Sequence, residues 1–175
     1  MGTDKSALVV DGLSMLDRAT RALRDAGITT LAVPGSAELP DPTGSNDGSD
    51  PLGPLAGIVS GWAYFQRGTA PDTVVVLSCD LPAIPARVVT ALVEAAAGRE
   101  HGAVAHDGER RQPLIAAYHA VALRSMAAAF HAGQRSVRRC LEGWDLGICH
   151  FDRTVLLDAD TPADLNGFDV RWPAR

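Results

Sequence analysis

TVVVLS, residues 73–78, runs straight into CDLPAIP, residues 79–85, and this junction decides how the chain is read. A run of β-branched residues with no polar alternation is the pattern of a strand covered on both faces, as in a parallel sheet. Such a sheet presents ligands beyond the carboxyl ends of its strands. Asp80 therefore stands where chemistry is expected. A carboxylate at a strand tip can hold Mg²⁺ while water and substrate phosphates take the metal's other positions. It can equally serve only to organise the turn before Pro82.

Working outward, the apolar period alternates between strand and helix. SALVV (6–10), TTLAV (29–33) and TVLLD (154–158) read as short strands, and 102–119 reads as two strands around an Asp107-Gly108 turn. LSMLDRATRALRDAG (13–27) has helical spacing and stops at Gly27, and PARVVTALVEAAAG (85–98) opens on Pro and closes on Gly. Further helices are expected near 121–132 and 136–142. This rhythm predicts a single α/β domain over 1–175, a Rossmann-like open and mostly parallel sheet with helices on both faces. Residues 34–52 break it with Pro, Gly, Ser and Asp, the composition of a functional lid, a linker or a tolerated insertion.

Composition narrows the function. The chain has 175 residues, 46% of them apolar, and a net charge of −5. That balance argues against nucleic acid as a partner. No apolar run is long enough to span a membrane and no signal peptide opens the chain. Cys79, Cys140 and Cys149 match neither a zinc spacing nor a paired disulfide set, which points to a reducing cytoplasm.

Other stretches carry candidate chemistry. MGTDKSALVVDG (1–12) sets Lys5 near a Gly and hydroxyls, as in phosphate-handling loops. GPLAG (53–57) opens an amphipathic helix, and Gly at a helix start lets a ligand approach backbone N–H groups. GQRSVRR (133–139) gathers Arg135, Arg138 and Arg139, either a clamp for an anionic substrate or a solvated helix face. In DADTPADL (158–165) the capping role of Thr161, Pro162 and Asp164 leaves Asp158 and Asp160 over, to join Asp80 at a metal or to face water.

In this order, DK (4–5), GPLAG (53–57), CDLP (79–82), HDGERRQPLIAAY (106–118), GQRSVRR (133–139) and DADTP (158–162) resemble the molybdenum cofactor guanylyltransferases, the MobA-like nucleotidyltransferases. The resemblance covers essentially the whole chain and implies a nucleotide-diphospho-sugar transferase-like fold. It implies transfer of GMP from GTP to the terminal phosphate of molybdopterin, with Mg²⁺. Lys5 and Asp80 would then be catalytic, with Asp80 the metal ligand. Lys5, Asp47, Gly53, Pro54, Leu55, Gly57 and Asp80 would bind nucleotide, and Arg110, Arg111, Arg135, Arg138 and Arg139 the pterin. Molybdoenzyme apoproteins or their chaperones would receive the product.

Departures from the pattern shape the alternatives. In the family, DK ends a longer motif, LAGG-S-RMG-DK, preceded by the first strand. Met1-Gly2 looks like its MG, so the resemblance implies a chain that begins inside its phosphate loop, without that strand. Asp158 and Asp160 stand where the family often carries Asn, and Val33-Pro34 where some members place an Asn on the nucleotide. Two other readings follow: a cytidylyltransferase or other small nucleotidyltransferase, and a catalytically silent cofactor-binding protein.

Overall fold

The computed structural model describes residues 8–32, 52–159 and 162–171. Its main sheet has four strands in the order β3-β5-β4-β6: β3 (Thr73–Leu77), β4 (Gly102–His106), β5 (Arg111–His119) and β6 (Gly147–His150). A small sheet, β2-β1-β7, joins β1 (Val9–Val10), β2 (Leu13–Ser14) and β7 (Val170–Arg171). The helices are α1 (Met15–Asp25), α2 (Pro54–Phe65), α3 (Ala86–Ala96), α4 (Ala120–His131) and α5 (Val137–Cys140), with a 3₁₀ turn at Pro162–Leu165. Among the described residues no helix is long and apolar enough to cross a membrane.

Alternating side chains send the main sheet's apolar groups to two cores. Val104, Ala116 and Tyr118 pack on one face with Leu55, Ile58 and Trp62 of α2 and Leu123 and Met126 of α4. Ala103, Ala105, Ile115 and Ala117 pack on the other with Val88 and Leu92 of α3 and Ala22 of α1. Helices cover both faces, as the β-α rhythm predicts.

The strand pairing refines that expectation. β3 sends Val74 and Val76 to one core and Val75 and Leu77 to the other, yet each of its five residues is only partly buried. Its partner β5 runs antiparallel to it, as β4 does to β5, and β4–β6 is the parallel pairing of this sheet. Cover on both faces of 73–77 is thus as read, while among the described residues the strand's pairing is antiparallel and its burial partial. Residues 29–32 form no strand among the described residues. Residues 154–158 are turn and coil rather than strand, because Val155 and Leu156 donate their N–H groups back to Asp152 (3.0 Å) and Arg153 (3.2 Å). The Pro162 segment is a single 3₁₀ turn.

Close backbone approaches fix the sheet. Gly102 adopts φ +110°, and a Cβ there would lie 2.0 Å from the carbonyl oxygen of Ala117, so only glycine fits between β4 and β5. The β4–β5 register also jumps: Val104 faces Ala116, but Ala105 faces Gln112. The intervening Pro113, Leu114 and Ile115 bulge from that ladder. Pro has no N–H to continue it. The Tyr118 hydroxyl, buried within the core, donates to the Pro113 carbonyl at 2.8 Å and holds the bulge in place.

Candidate active site

The bulge shapes a cavity of about 320 Å³ beyond the end of β3. Gln112 to Ile115 form one wall, and Asp80, Leu81, Leu156 and Asp158 another. Pro54 at the start of α2 and Arg135 to Arg138 close it, with Arg110 reaching in from the hairpin. Bulges occur characteristically beside sites, where they redirect side chains.

The loop carrying Asp80 is held from several directions. Ser78 N–H donates to the Leu114 carbonyl at 2.9 Å, extending the β3–β5 contact one residue past the strand. The Ala159 N–H donates to the Asp80 carbonyl at 2.8 Å, which brings Asp158 to the same cavity. The Ser78 hydroxyl donates to Asp80 Oδ1. Arg18, on α1, donates Nη1 to the Pro82 carbonyl (2.9 Å) and Nε to that of Val10 (3.0 Å), with Nη2 also on Val10.

Val10 and Pro82 are fully buried, so removing this guanidinium leaves two buried carbonyls without their charged donor. Arg18→Ala should lower unfolding stability by about 2–3 kcal/mol, read from the urea midpoint, since hydrogen bonds to charged groups carry about 1.5–3 kcal/mol. A midpoint equal to that of the parent chain would show that water replaces the donor at no cost.

The hairpin turn between β4 and β5 is set by Asp107. Its carboxylate accepts the backbone N–H of Arg110 (2.8 Å) and of Glu109 (2.9 Å), and the side-chain amide of Gln112. The bond from Arg110, with those from Glu109 and Gln112, outweighs desolvation and lowers its pKa from 3.8 to about 2. A lowered carboxylate pKa contributes stability that is complete above the unfolded value and lost as pH falls through the folded one. The stability difference between the parent chain and Asp107→Asn should therefore be constant above about pH 5 and shrink between about pH 4 and 2. Denaturation at a series of pH values measures it, and a flat difference across that window would overturn the assignment.

The three cavity arginines differ in their engagement. Arg135 lies over the Phe130 ring at 4.5 Å and donates Nη1 to the carbonyls of Phe130 (3.0 Å) and Gln134 (2.9 Å), which orients its remaining N–H groups. Arg110 is 54% exposed, with Nε 3.9 Å from Asp107. No acidic side chain among the described residues pairs with Arg138.

Of the residues singled out in the sequence, the cavity unites Pro54, Asp80, Arg110, Arg135, Arg138 and Asp158. Gly53 caps α2 with φ +74°, and a Cβ there would sit 3.6 Å from the Arg135 carbonyl, so the start of α2 abuts the arginine segment. Leu55 is fully buried in the core, which leaves only its backbone for a ligand, and Gly57 lies in the first turn of α2. Arg111 and Arg139 are exposed and not part of the cavity lining. Lys5, Asp47 and Asp160 lie outside the described residues, as does most of the 34–52 segment.

For a cation, the donor set is the carboxylates of Asp80 and Asp158; no cluster of three or more His, Cys, Asp or Glu side chains suits a metal among the described residues. Two hard oxygen donors beside cationic side chains fit Mg²⁺, which is commonly bound by one or two carboxylates together with substrate phosphates. The His106–His150 pair, with ring centroids 4.8 Å apart, is a poorer candidate. His106 Nδ1 accepts the Gly108 N–H at 3.0 Å, so in the neutral ring the proton sits on Nε2 and no lone pair remains for a metal.

Comparison with known proteins identifies relatives of the chain as a whole. The family described as MobA-like NTP transferase domain matches residues 1–148. A molybdenum cofactor guanylyltransferase of Pseudomonas syringae is 30% identical over 147 residues, 81% of this chain and 71% of that protein. Another, from Shewanella loihica, is 33% identical over 102 residues, 58% of this chain. The chain spans about half (50%) of that relative's length. Among solved structures, the molybdopterin-guanine dinucleotide biosynthesis protein A of Archaeoglobus fulgidus superposes with a TM-score of 0.51 at 22% identity, over 65% of this chain and 59% of that one. A protein of Aquifex aeolicus gives 0.52 at 20% identity, over 62% and 57%. At these identities the structures establish the α/β fold.

Proposed function

The chain belongs to the MobA-like NTP transferase domain family, and from that membership and the cavity at Asp80 we propose that it transfers GMP from GTP to the terminal phosphate of molybdopterin. In the reaction an oxygen of the acceptor phosphate bonds to the α-phosphorus of GTP. The bond from that phosphorus to the α–β bridging oxygen breaks, and pyrophosphate leaves. A phosphate monoester has a second pKa near ~6, so the nucleophile is already largely ionised at neutral pH. What remains for the protein is to bring two polyanions together and balance their charge.

The residues divide that work. Asp80 and Asp158 would hold Mg²⁺, which when bound supplies charge neutralisation at the departing pyrophosphate. The Gly53–Gly57 turn offers backbone N–H groups of α2 to the nucleotide phosphates. Lys5 and Asp47 enter as further nucleotide contacts on the strength of the sequence motif alone. Arg110, Arg135 and Arg138 take the acceptor's phosphate. The observation that carries this reading is the meeting of Asp80, Asp158 and these three arginines in one cavity.

The test is turnover of the purified protein with GTP, molybdopterin and Mg²⁺, followed by pyrophosphate release and mass of the dinucleotide product. GTP-dependent product supports the proposal. Preference for CTP would make the protein a cytidylyltransferase, and pterin binding without turnover with either nucleotide would make it a binding protein.

A further inference from the structure

We infer that Ser78 is a positioning residue for Asp80, holding one carboxylate oxygen so that the other is presented to a cation in the cavity. The inference rests on the proposed function only for the role of Asp80 as the cation's carboxylate.

An aspartate on a loop just past a strand can swing among several rotamers, and a cation site built on it needs one. Here the main chain is fixed first. Ser78 N–H is bonded to Leu114 at 2.9 Å, and the Asp80 carbonyl accepts from Ala159 at 2.8 Å. Ser78 and Asp80 are both half-buried and both line the cavity. The Ser78 hydroxyl then donates to Oδ1 of Asp80, which selects the rotamer and leaves the lone pairs of Oδ2 for a metal. A hydroxyl whose proton is committed in this way acts through the carboxylate it orients. Groups that orient a metal's ligand typically change metal affinity by about 10–100-fold when removed.

The test uses Mn²⁺ as the probe, titrated alone into the protein, with the electron paramagnetic resonance signal of the free ion as readout. Ser78→Ala should weaken Mn²⁺ binding by about 10-fold at an unchanged thermal midpoint, and Ser78→Thr, which keeps the hydroxyl, should restore most of it. Asp80→Asn should lose the site. Ser78→Cys, similar in size and a poor donor, serves if the alanine variant does not fold. Parent-like affinity in Ser78→Ala and Ser78→Cys, alongside loss in Asp80→Asn, would overturn the inference and leave the proposed function standing. Parent-like affinity in Asp80→Asn would remove both.

Discussion

Asp80→Asn should reduce nucleotidyl transfer by on the order of 1000-fold, the scale on which positioned charges stabilise a transition state, while the protein stays folded. The separation of the two effects follows from how the loop is held. The carbonyl of Asp80, not its side chain, receives the Ala159 N–H, and Pro82 is anchored independently by Arg18. An asparagine can still accept the Ser78 hydroxyl through its amide oxygen, so the local geometry survives. What disappears is the negative charge facing the cavity, where Asp158 is the other carboxylate. Initial rates over a range of Mg²⁺ concentrations, beside thermal midpoints, check this. A folded variant with parent-like turnover would end the assignment of Asp80 to the metal.

The helices were legible because their signals are local. Ser14 accepts the Asp17 N–H at 3.0 Å and caps α1, while Gly27, with φ +86°, follows its end. The Asp107-Gly108 turn likewise carries its own instructions, since the carboxylate that shapes it accepts backbone N–H groups two and three residues on. Strand partners are a different matter. A β-branched run at 73–77 announces a strand, but its antiparallel neighbour lies at 111–119 and leaves no mark on it. TVLLD (154–158) has the composition of a strand, yet it is drawn into a turn by its own backbone bonds, while GICH (147–150), which carries no such run, pairs with β4.

Much the same holds for the site. CDLP and RSVRR could be read as chemistry because residue types and spacing carry it. Ser78 stood beside CDLP in full view, but a serine before an aspartate is too common to mark a role until the hydroxyl is seen on the carboxylate. Arg18 was beyond sequence reasoning. Its contact with Pro82 spans 64 residues and ends on a carbonyl, a group every residue has. Leu55, inside the stretch read as nucleotide-binding, gives its side chain to the core, a role that the motif's spacing does not announce. Asp158, left over once the capping residues are assigned, gains a place only through the Ala159–Asp80 backbone bond.

Arg110→Ala combined with Arg138→Ala should weaken binding of the acceptor's phosphate by about 2–4 kcal/mol, roughly 30- to 1000-fold, the sum expected from charge-assisted hydrogen bonds of exposed side chains. Both residues line the cavity, and neither is buried. Arg110 stands 3.9 Å from Asp107, while Arg138 has no acidic partner among the described residues, so both can turn to an incoming phosphate. Nucleotide affinity should barely move, because the proposal sets the nucleotide phosphates at the start of α2 and the metal carboxylates. Arg139→Ala, exposed and outside the lining, serves as the control and should leave both affinities unchanged. The acceptor's loss should also shrink as salt rises, since exposed charges are screened over about 8–10 Å at ordinary ionic strength. Equilibrium titrations with molybdopterin and with GTP at two salt concentrations measure all of this. Equal losses for the two ligands would show that these arginines hold the triphosphate, and the pterin would then have to be sought elsewhere on the domain.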